Sequence, residues 1–233
     1  MAANVHSSLP SPAVIFPVSR SCRSDRSRCG GSRMRQTIGL VVLATTLAAL
    51  GGRVEAVEKA TPSVKVLVAY HSMTGNTEKM AEAVSEGAKS VPGTLVVLKR
   101  VGLVTADDLF SSDAVVVGSP VYWSNMAGEV KTFFDNWQLK FGVFPEFKMR
   151  NKVGAAFATG GQIASGKEVT MLTILAAMLG NQMIVVSGGG AFGASATTEG
   201  ESPGIDQNEL AAAKALGRRV AEITAVMKRG MAR

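Results

Sequence analysis

Apolar residues along this chain fall into two alternating rhythms. Five short runs are apolar almost without interruption: VKVLVAY (64–70), TLVVLKR (94–100), DAVVVGSP (113–120), KVGAAFATG (152–160) and QMIVVSGGG (182–190). Valine-rich runs of this length predict strands buried on both faces of a parallel sheet. Between them the period lengthens to three and four residues. In TEKMAEAVSEGAKS, Met80, Ala81, Val84 and Ala88 share one helical face, with Glu78, Glu82 and Glu86 outside. Val130, Phe133, Phe134 and Trp137 repeat that spacing, which places Trp137 in the core or at a subunit contact rather than on a substrate. EVTMLTILAAML (168–179) is apolar nearly all round, as a well-covered helix would be. A last helix runs from Asp206, its expected N-cap, to about Lys228. The link from Arg100 to Asp113 is short, with Thr105 placed to cap one turn over Asp107 and Asp108.

Strands that alternate with helices predict an α/β fold with a doubly wound five-stranded parallel sheet. With right-handed crossovers, the strand order 2-1-3-4-5 opens a ligand crevice where strands 1 and 3 diverge. The loops after strands 1, 3 and 4 then meet at one edge. They read HSMTGNT, SPVYWSNMAG and TGGQIASGKE. The stretch 188–206, rich in Gly and Ser, reads as a loop that covers a ligand or stays mobile.

The N-terminal region changes the picture of charge and chemistry. Residues 1–33 are rich in Ser, Arg and Pro without apolar periodicity and read as disordered. Residues 34–56 have a charged start, an apolar run from Ile38 to Leu50, and then Val54-Glu55-Ala56. That run is short of the ~20 residues a spanning helix needs, and the small or apolar residues after it suit a signal-peptidase site. The expectation is a disordered leader plus signal peptide over 1–56, with Met34 as the true start, and one domain over 57–233. Export to a periplasm follows; the alternatives are an uncleaved anchor, a plastid-lumen leader or a cytoplasmic protein. Residues 1–57 hold seven arginines against Asp25 and Glu55, so +5 of the net +7 lies there and the rest of the chain carries only +2. A basic nucleic-acid surface is therefore not expected. Both cysteines, Cys22 and Cys29, and one of the two histidines, His6, also fall in the leader. The domain keeps His71 alone, which disfavours a zinc site or a Ser-His-Asp triad. His71 reads as a strand-end residue packed on a neighbour, the alternative being a role near an anion bound by the loop that follows it. Lys140, Lys148, Arg150 and Lys152 read as a solvated face.

The three loops carry the chemistry. A helix that begins near Asn76 or Thr77 presents unpaired N–H groups and the positive end of its dipole. Ser72, Thr74 and Thr77 add hydroxyls, and Gly75 lets the backbone curl close to a ligand. Three or four hydrogen bonds to an anion, each about 1.5–3 kcal/mol, supply roughly half of what micromolar affinity requires. No lysine is needed, so the loop suits a phosphate monoester held by neutral donors. It matches neither GxxxxGK[ST] nor GxGxxG. Tyr122 and Trp123 place two aromatics at a strand mouth, where a planar ligand would stack. Thr159, Gly160, Gly161 and Gln162 offer backbone N–H groups without bulk.

Together, SxTGNT, GSPVYWSNMAGEVKTFFDNW and ATGG resemble the flavodoxin-like superfamily over about residues 63–228. Within it the chain is similar to flavoproteins of the tryptophan-repressor-binding-protein type, which are NAD(P)H:quinone oxidoreductases. The resemblance implies FMN, with its phosphate on Ser72, Met73, Thr74, Gly75, Asn76 and Thr77. It sets the isoalloxazine against Pro120, Val121, Tyr122 and Trp123, with Asn125 shaping that loop. Ala158, Thr159, Gly160, Gly161 and Gln162 face the polar edge of the ring. It also implies NAD(P)H and a quinone-like acceptor as partners and a homo-oligomer, dimer or tetramer. Three departures stand out: no long insertion follows the second strand, Gly180 and Asn181 replace the usual histidine, and an export signal is unusual for the family. No catalytic acid–base residue and no metal are expected. The rival reading is a flavodoxin-type single-electron carrier; such carriers are usually strongly acidic, and the +2 of the domain favours the enzyme.

Overall fold

The computed structural model describes residues 63–199 and 204–231. The expected leader and signal peptide, residues 1–56, lie outside them. Val64, Val66 and Val68 bury on one side of β1 (Val64–Tyr70), and Leu67 and Ala69 on the other. Only a strand covered on both faces can place such a run, and β1 lies inside the sheet. The chain continues through α1 (Asn76–Lys89), β2 (Thr94–Arg100), a 3₁₀ turn (Val101–Leu103), α2 (Ala106–Ser111), β3 (Ala114–Tyr122), β4 (Asn125–Met126) and α3 (Gly128–Leu139). It ends with β5 (Val153–Gly160), α4 (Lys167–Gly180), β6 (Ile184–Val185), β7 (Ala194–Thr197) and α5 (Gln207–Met231). The parallel path is β2-β1-β3-β5-β6, which is the expected order 2-1-3-4-5 counted over the five predicted runs.

Two cores cover the sheet. On one face α1 and α5 bury Met80, Val84, Leu216 and Val220 against β1, β3 and β5. On the other, α3 and α4 bury Phe133, Trp137, Ile174 and Met178. The α1–α5 crossing is close because each helix gives the other a glycine. A methyl at Gly217 would lie 1.9 Å from the Val84 carbonyl oxygen, and one at Gly87 would lie 1.9 Å from that of Lys214. The expected caps form: Thr105 and Asp108 make a reciprocal capping box on α2, and Asp206 Oδ1 accepts from the Glu209 N–H at 2.8 Å.

The structure corrects the sequence reading in four places. The fifth strand is not continuous over 182–190 but splits into β6, beside Val153 and Gly154, and β7, beside Phe157–Gly160. Gly193 allows this, since a methyl there would meet the Ala156 carbonyl oxygen at 1.9 Å. The stretch expected as a loop over 188–206 therefore contributes β7. A hairpin, β3–β4, was not expected; it pairs Val121 with Met126 and Tyr122 with Asn125. Lys152 does not belong to a solvated face. Its Nζ donates to the carbonyls of Phe110 (2.7 Å) and Ser112, and burial lowers its pKa against the pull of Asp113.

Candidate functional site

The first loop leaves β1 at His71, whose N–H donates to the Gly118 carbonyl of β3 at 3.2 Å. Ser72 is buried, and its Oγ accepts from the Gly75 N–H at 3.1 Å, which bends the chain back on itself. Gly75 then caps α1 in the left-handed region, φ 87°, and no side chain caps the helix. Lys79 is the first residue whose N–H is satisfied, by Gly75 O at 2.9 Å. The N–H groups of Asn76, Thr77 and Glu78 are left without acceptors at the positive end of a 14-residue helix. Met73, Thr74 and Gly75 are exposed. Thr77 is buried, and its hydroxyl lies 2.8 Å from that of Thr159. One hydrogen of that pair is consumed between them, which leaves one for a ligand.

A cation also belongs to this loop, though none lies within it. Arg100, at the end of β2, donates from Nη1 to the Ser72 carbonyl at 2.6 Å and from Nη2 to Glu78 Oε2 at 2.8 Å. Its guanidinium stands over the Tyr70 ring, 5.6 Å from the centroid, and Tyr70 donates its own hydroxyl to Glu78 Oε1. Burial, and then the Glu78 carboxylate, raise the pKa of the Tyr70 phenol. Glu78 lies in the first turn of α1, where a free carboxylate would repel an anion; Arg100 and Tyr70 hold both its oxygens. Sequence reasoning looked for cations inside the loop and missed one 28 residues away. The available signal was strand register, because Arg100 is the β2 partner of Tyr70.

The second loop is the β3–β4 hairpin. Its two turn residues, Trp123 and Ser124, have φ 49° and 65°. A two-residue hairpin turn of the I′ kind requires positive φ at both positions, normally Asn-Gly. Here it carries a tryptophan, which is fully exposed. Backbone strain of this kind clusters at ligand clamps and active sites. Pro120, Val121 and Tyr122 are partly exposed beneath it. Asn125 Oδ1 accepts from the Met126 N–H at 2.7 Å and from the Thr173 hydroxyl of α4 at 2.7 Å, which ties the hairpin to α4. His71 packs edge-on to Tyr122, with ring centroids 6.2 Å apart, and its Nε2 stands 3.6 Å from Glu129 without a hydrogen bond.

The third loop meets both others. Pro120 pairs in register with Thr159, and Thr77 binds Thr159. Gly166, the left-handed cap of α4, sits so close to Ser124 that a methyl would lie 2.8 Å from its Cα. Ala158 is buried with its side chain in the core, so only its backbone can serve a ligand. Gly161 and Gln162 are exposed to different degrees at the mouth. The structure thus brings the three expected loops to one sheet edge. A cavity of about 720 Å³ borders this edge at His71 and Arg100 and continues along α3; of the three loops only their end residues His71 and Gly128 line it.

The donor set fits a phosphate monoester carrying a planar ring. Three free N–H groups and neutral hydroxyls face the open space at Gly75, where a methyl would meet nothing within 4 Å. Exposed aromatics stand on one side, and a glycine-lined strand end on the other. Among the described residues no group of His, Cys, Asp and Glu side chains could hold a metal.

Comparison with known proteins agrees with this geometry. Residues 62–198 match the family described as NADPH-dependent FMN reductase. An NAD(P)H dehydrogenase (quinone) from Geotalea daltonii is 34% identical over 201 residues, covering 69% of this chain and 96% of its own. A flavodoxin from Clostridium saccharobutylicum is 34% identical over 160 residues, covering 68% and 96%. Among solved structures, the flavodoxin, WrbA-like protein from Agrobacterium tumefaciens superposes with TM-score 0.59 at 26% identity, covering 70% of this chain and 98% of its own.

Proposed function

This chain belongs to the NADPH-dependent FMN reductase family, and from that premise we propose that it is an FMN-dependent oxidoreductase passing hydride from NAD(P)H to quinones or similar acceptors. The observation that carries the reading is the sheet edge where three uncapped N–H groups of α1 stand beside the exposed Trp123 and the glycine-lined end of β5. The flavin, when bound, supplies the redox chemistry, and the protein supplies binding and electrostatics. Asn76, Thr77 and Glu78 donate backbone N–H groups to the phosphate, with Ser72, Met73, Thr74 and Gly75 forming the wall around it. Pro120, Val121, Tyr122 and Trp123 flank the ring, and the strand end from Ala158 to Gln162 meets its polar edge. Arg100 holds the Glu78 carboxylate away from the phosphate. Trp123 leaves a flat wall for a second planar molecule, donor or acceptor in turn.

Two finer points belong to the same reading. The export signal over residues 34–56 is supported by its short apolar run and by Val54-Glu55-Ala56; the intact mass of the native protein tests it, and a product that retains these residues would refute it. A homo-oligomer is supported by α4. Val169, Leu172, Ala176 and Leu179 form one stripe of apolar side chains, and all four are exposed.

The deciding experiment is anaerobic stopped-flow reduction of the purified protein by NADH and by NADPH, with spectra recorded throughout. Rapid bleaching of bound flavin, then reoxidation by benzoquinone with ping-pong kinetics, is the expected result. A stable half-reduced spectrum with no response to either nicotinamide would replace the enzyme by a single-electron carrier, the reading favoured by the flavodoxin relative.

A further inference from the structure

Lys167 is the first residue of α4 and is only 5% exposed. Lysine is rarely so buried without an anionic partner, and a buried charge is unfavourable unless paired. Here Nζ donates to the Thr197 hydroxyl, and among the described residues no carboxylate pairs with it. The nearby acids are otherwise engaged or exposed. Glu209 accepts from the N–H groups of Thr197 (2.7 Å) and Asp206 (3.0 Å). Glu199 sits at the surface against Gly161, and Glu168 is exposed on α4. The position is unfavourable for a second reason. The N-terminus of a helix already carries partial positive charge, where a cation is repelled.

The side chain also has a direction. It runs from α4 beneath the end of β5, so close that a methyl at Gly160 would lie 3.0 Å from Lys167 Cγ and 3.3 Å from Cδ. Ser165 Oγ, buried and without a hydrogen-bond partner, lies beside the same glycine. Gly160 is in the loop that meets the polar edge of the flavin in the reading above, on which this inference rests. An ammonium with no carboxylate partner among the described residues, an unpartnered hydroxyl and a helix N-terminus without a side-chain cap therefore gather under one strand end.

We propose that Lys167 is the cation that stabilises the reduced flavin and so sets its reduction potential. A hydride delivers one proton and two electrons. Oxidised FMN plus NAD(P)H gives NAD(P)⁺ and a reduced flavin in which one new N–H bond has formed. No second proton is taken up, so the ring carries one negative charge, spread over the pyrimidine edge. That charge appears only on reduction, and it is an anion that the buried ammonium and the α4 dipole do not find among the described residues. Lys167 is thus unfavourable in the empty protein, close to neutral in the oxidised complex, and favourable in the reduced one. The FMN phosphate is a different anion at a different place: it lies at α1, and Lys167 reaches the β5–β7 end of the sheet.

The test compares wild type with Lys167→Met and Lys167→Gln. It uses the two-electron potential by dye equilibration, the Kd of oxidised FMN and of riboflavin, and thermal unfolding of the flavin-free protein. Both variants should bind reduced FMN at least tenfold more weakly relative to oxidised FMN, which lowers the two-electron potential by about 30 mV. Affinity for oxidised FMN should stay within about threefold, and the flavin-free Lys167→Met protein should melt no lower than wild type. An unchanged potential, or a lower melting temperature with oxidised and reduced FMN weakened alike, makes Lys167 a structural residue and overturns the proposal. Weakening of FMN but not of riboflavin would assign the ammonium to the phosphate and overturn it as well. A wild-type protein that binds no flavin would overturn both this inference and the functional reading; failure of the potential shift alone overturns only this one.

Discussion

At the scale of single residues, the proposed phosphate site is a set of neutral donors with one cation, Arg100, held outside it. Thr77→Val keeps the volume and removes the hydroxyl that meets Thr159 at 2.8 Å. It should weaken FMN by roughly the 1.5–3 kcal/mol of a hydrogen bond to a charged group, while riboflavin, which lacks the phosphate, changes far less. Flavin-fluorescence titration of both ligands measures this; equal weakening would mean that the loop is not the phosphate site. Arg100→Met should act on the same comparison by another route. It frees the Glu78 carboxylate beside the N-terminus of α1, so FMN should weaken about tenfold while riboflavin stays nearly unchanged, and the FMN loss should shrink at high salt. The donors were legible in the sequence because SMTGNT is local and its chemistry is contiguous. Arg100 was not, because what gives it a role is the register that sets it beside Tyr70. Lys167 was hidden for the same kind of reason: nothing in GKEVT says that the side chain folds beneath Gly160.

At the scale of elements, the strands and helices were legible wherever one face had to be buried. Period alone located β1, α1, α3 and α5. It failed where backbone conformation decides. The β3–β4 hairpin needs two positive φ values, and a Trp-Ser pair does not advertise them. The split of the fifth strand depends on a close approach at Gly193 that is visible only in three dimensions. The hairpin gives a prediction. With φ 49° at Trp123, Trp123→Gly should be more stable than Trp123→Ala by about 1 kcal/mol in thermal unfolding, since only glycine occupies the left-handed region without penalty. Both variants should slow the quinone reaction more than they weaken FMN. The reverse stability order would mean that the turn relaxes away from positive φ. The short helix α2 gives another. Burial alone would raise the Asp108 carboxyl, but the Lys99 ammonium and the Thr105 donors outweigh it and hold it at about 2, against an ordinary 3.8. The folded value lies below the unfolded one, so the contribution is present above the ordinary value and is lost as pH falls toward the folded one. The melting-temperature gap between wild type and Asp108→Asn should therefore be full at pH 7, narrow below about pH 3.8 and close near pH 2. A gap that persists unchanged in acid would mean that the Lys99 and Thr105 contacts do not depend on the charge.

At the scale of the whole molecule, one helix leaves an apolar face uncovered in the single chain. The all-round apolar character of EVTMLTILAAML reads as a helix covered on every side, yet α4 buries only the face bearing Met171, Ile174, Leu175 and Met178. Val169, Leu172, Ala176 and Leu179, spaced by three and four residues, face outward. Leaving such side chains in water forgoes about 1.5–3 kcal/mol for each large one that could be buried, and contiguous exposed apolar patches mark interaction surfaces. A second copy of the same chain is the simplest partner, because the same stripe on both copies is self-complementary about a two-fold axis. The expected result is a dimer or tetramer at micromolar concentration by light scattering after gel filtration. Leu172→Glu and Leu179→Glu, each at an exposed position, should shift it toward monomer. The cost to folding should be slight, since surface substitutions away from caps and cores usually change stability by no more than about 0.5 kcal/mol. The flavin spectrum should survive in the monomer, because the three loops that meet at the strand ends come from one chain. Loss of flavin on dissociation would mean that a neighbouring copy completes the site. A wild-type protein that is monomeric at every concentration would show that α4 leaves its stripe in water.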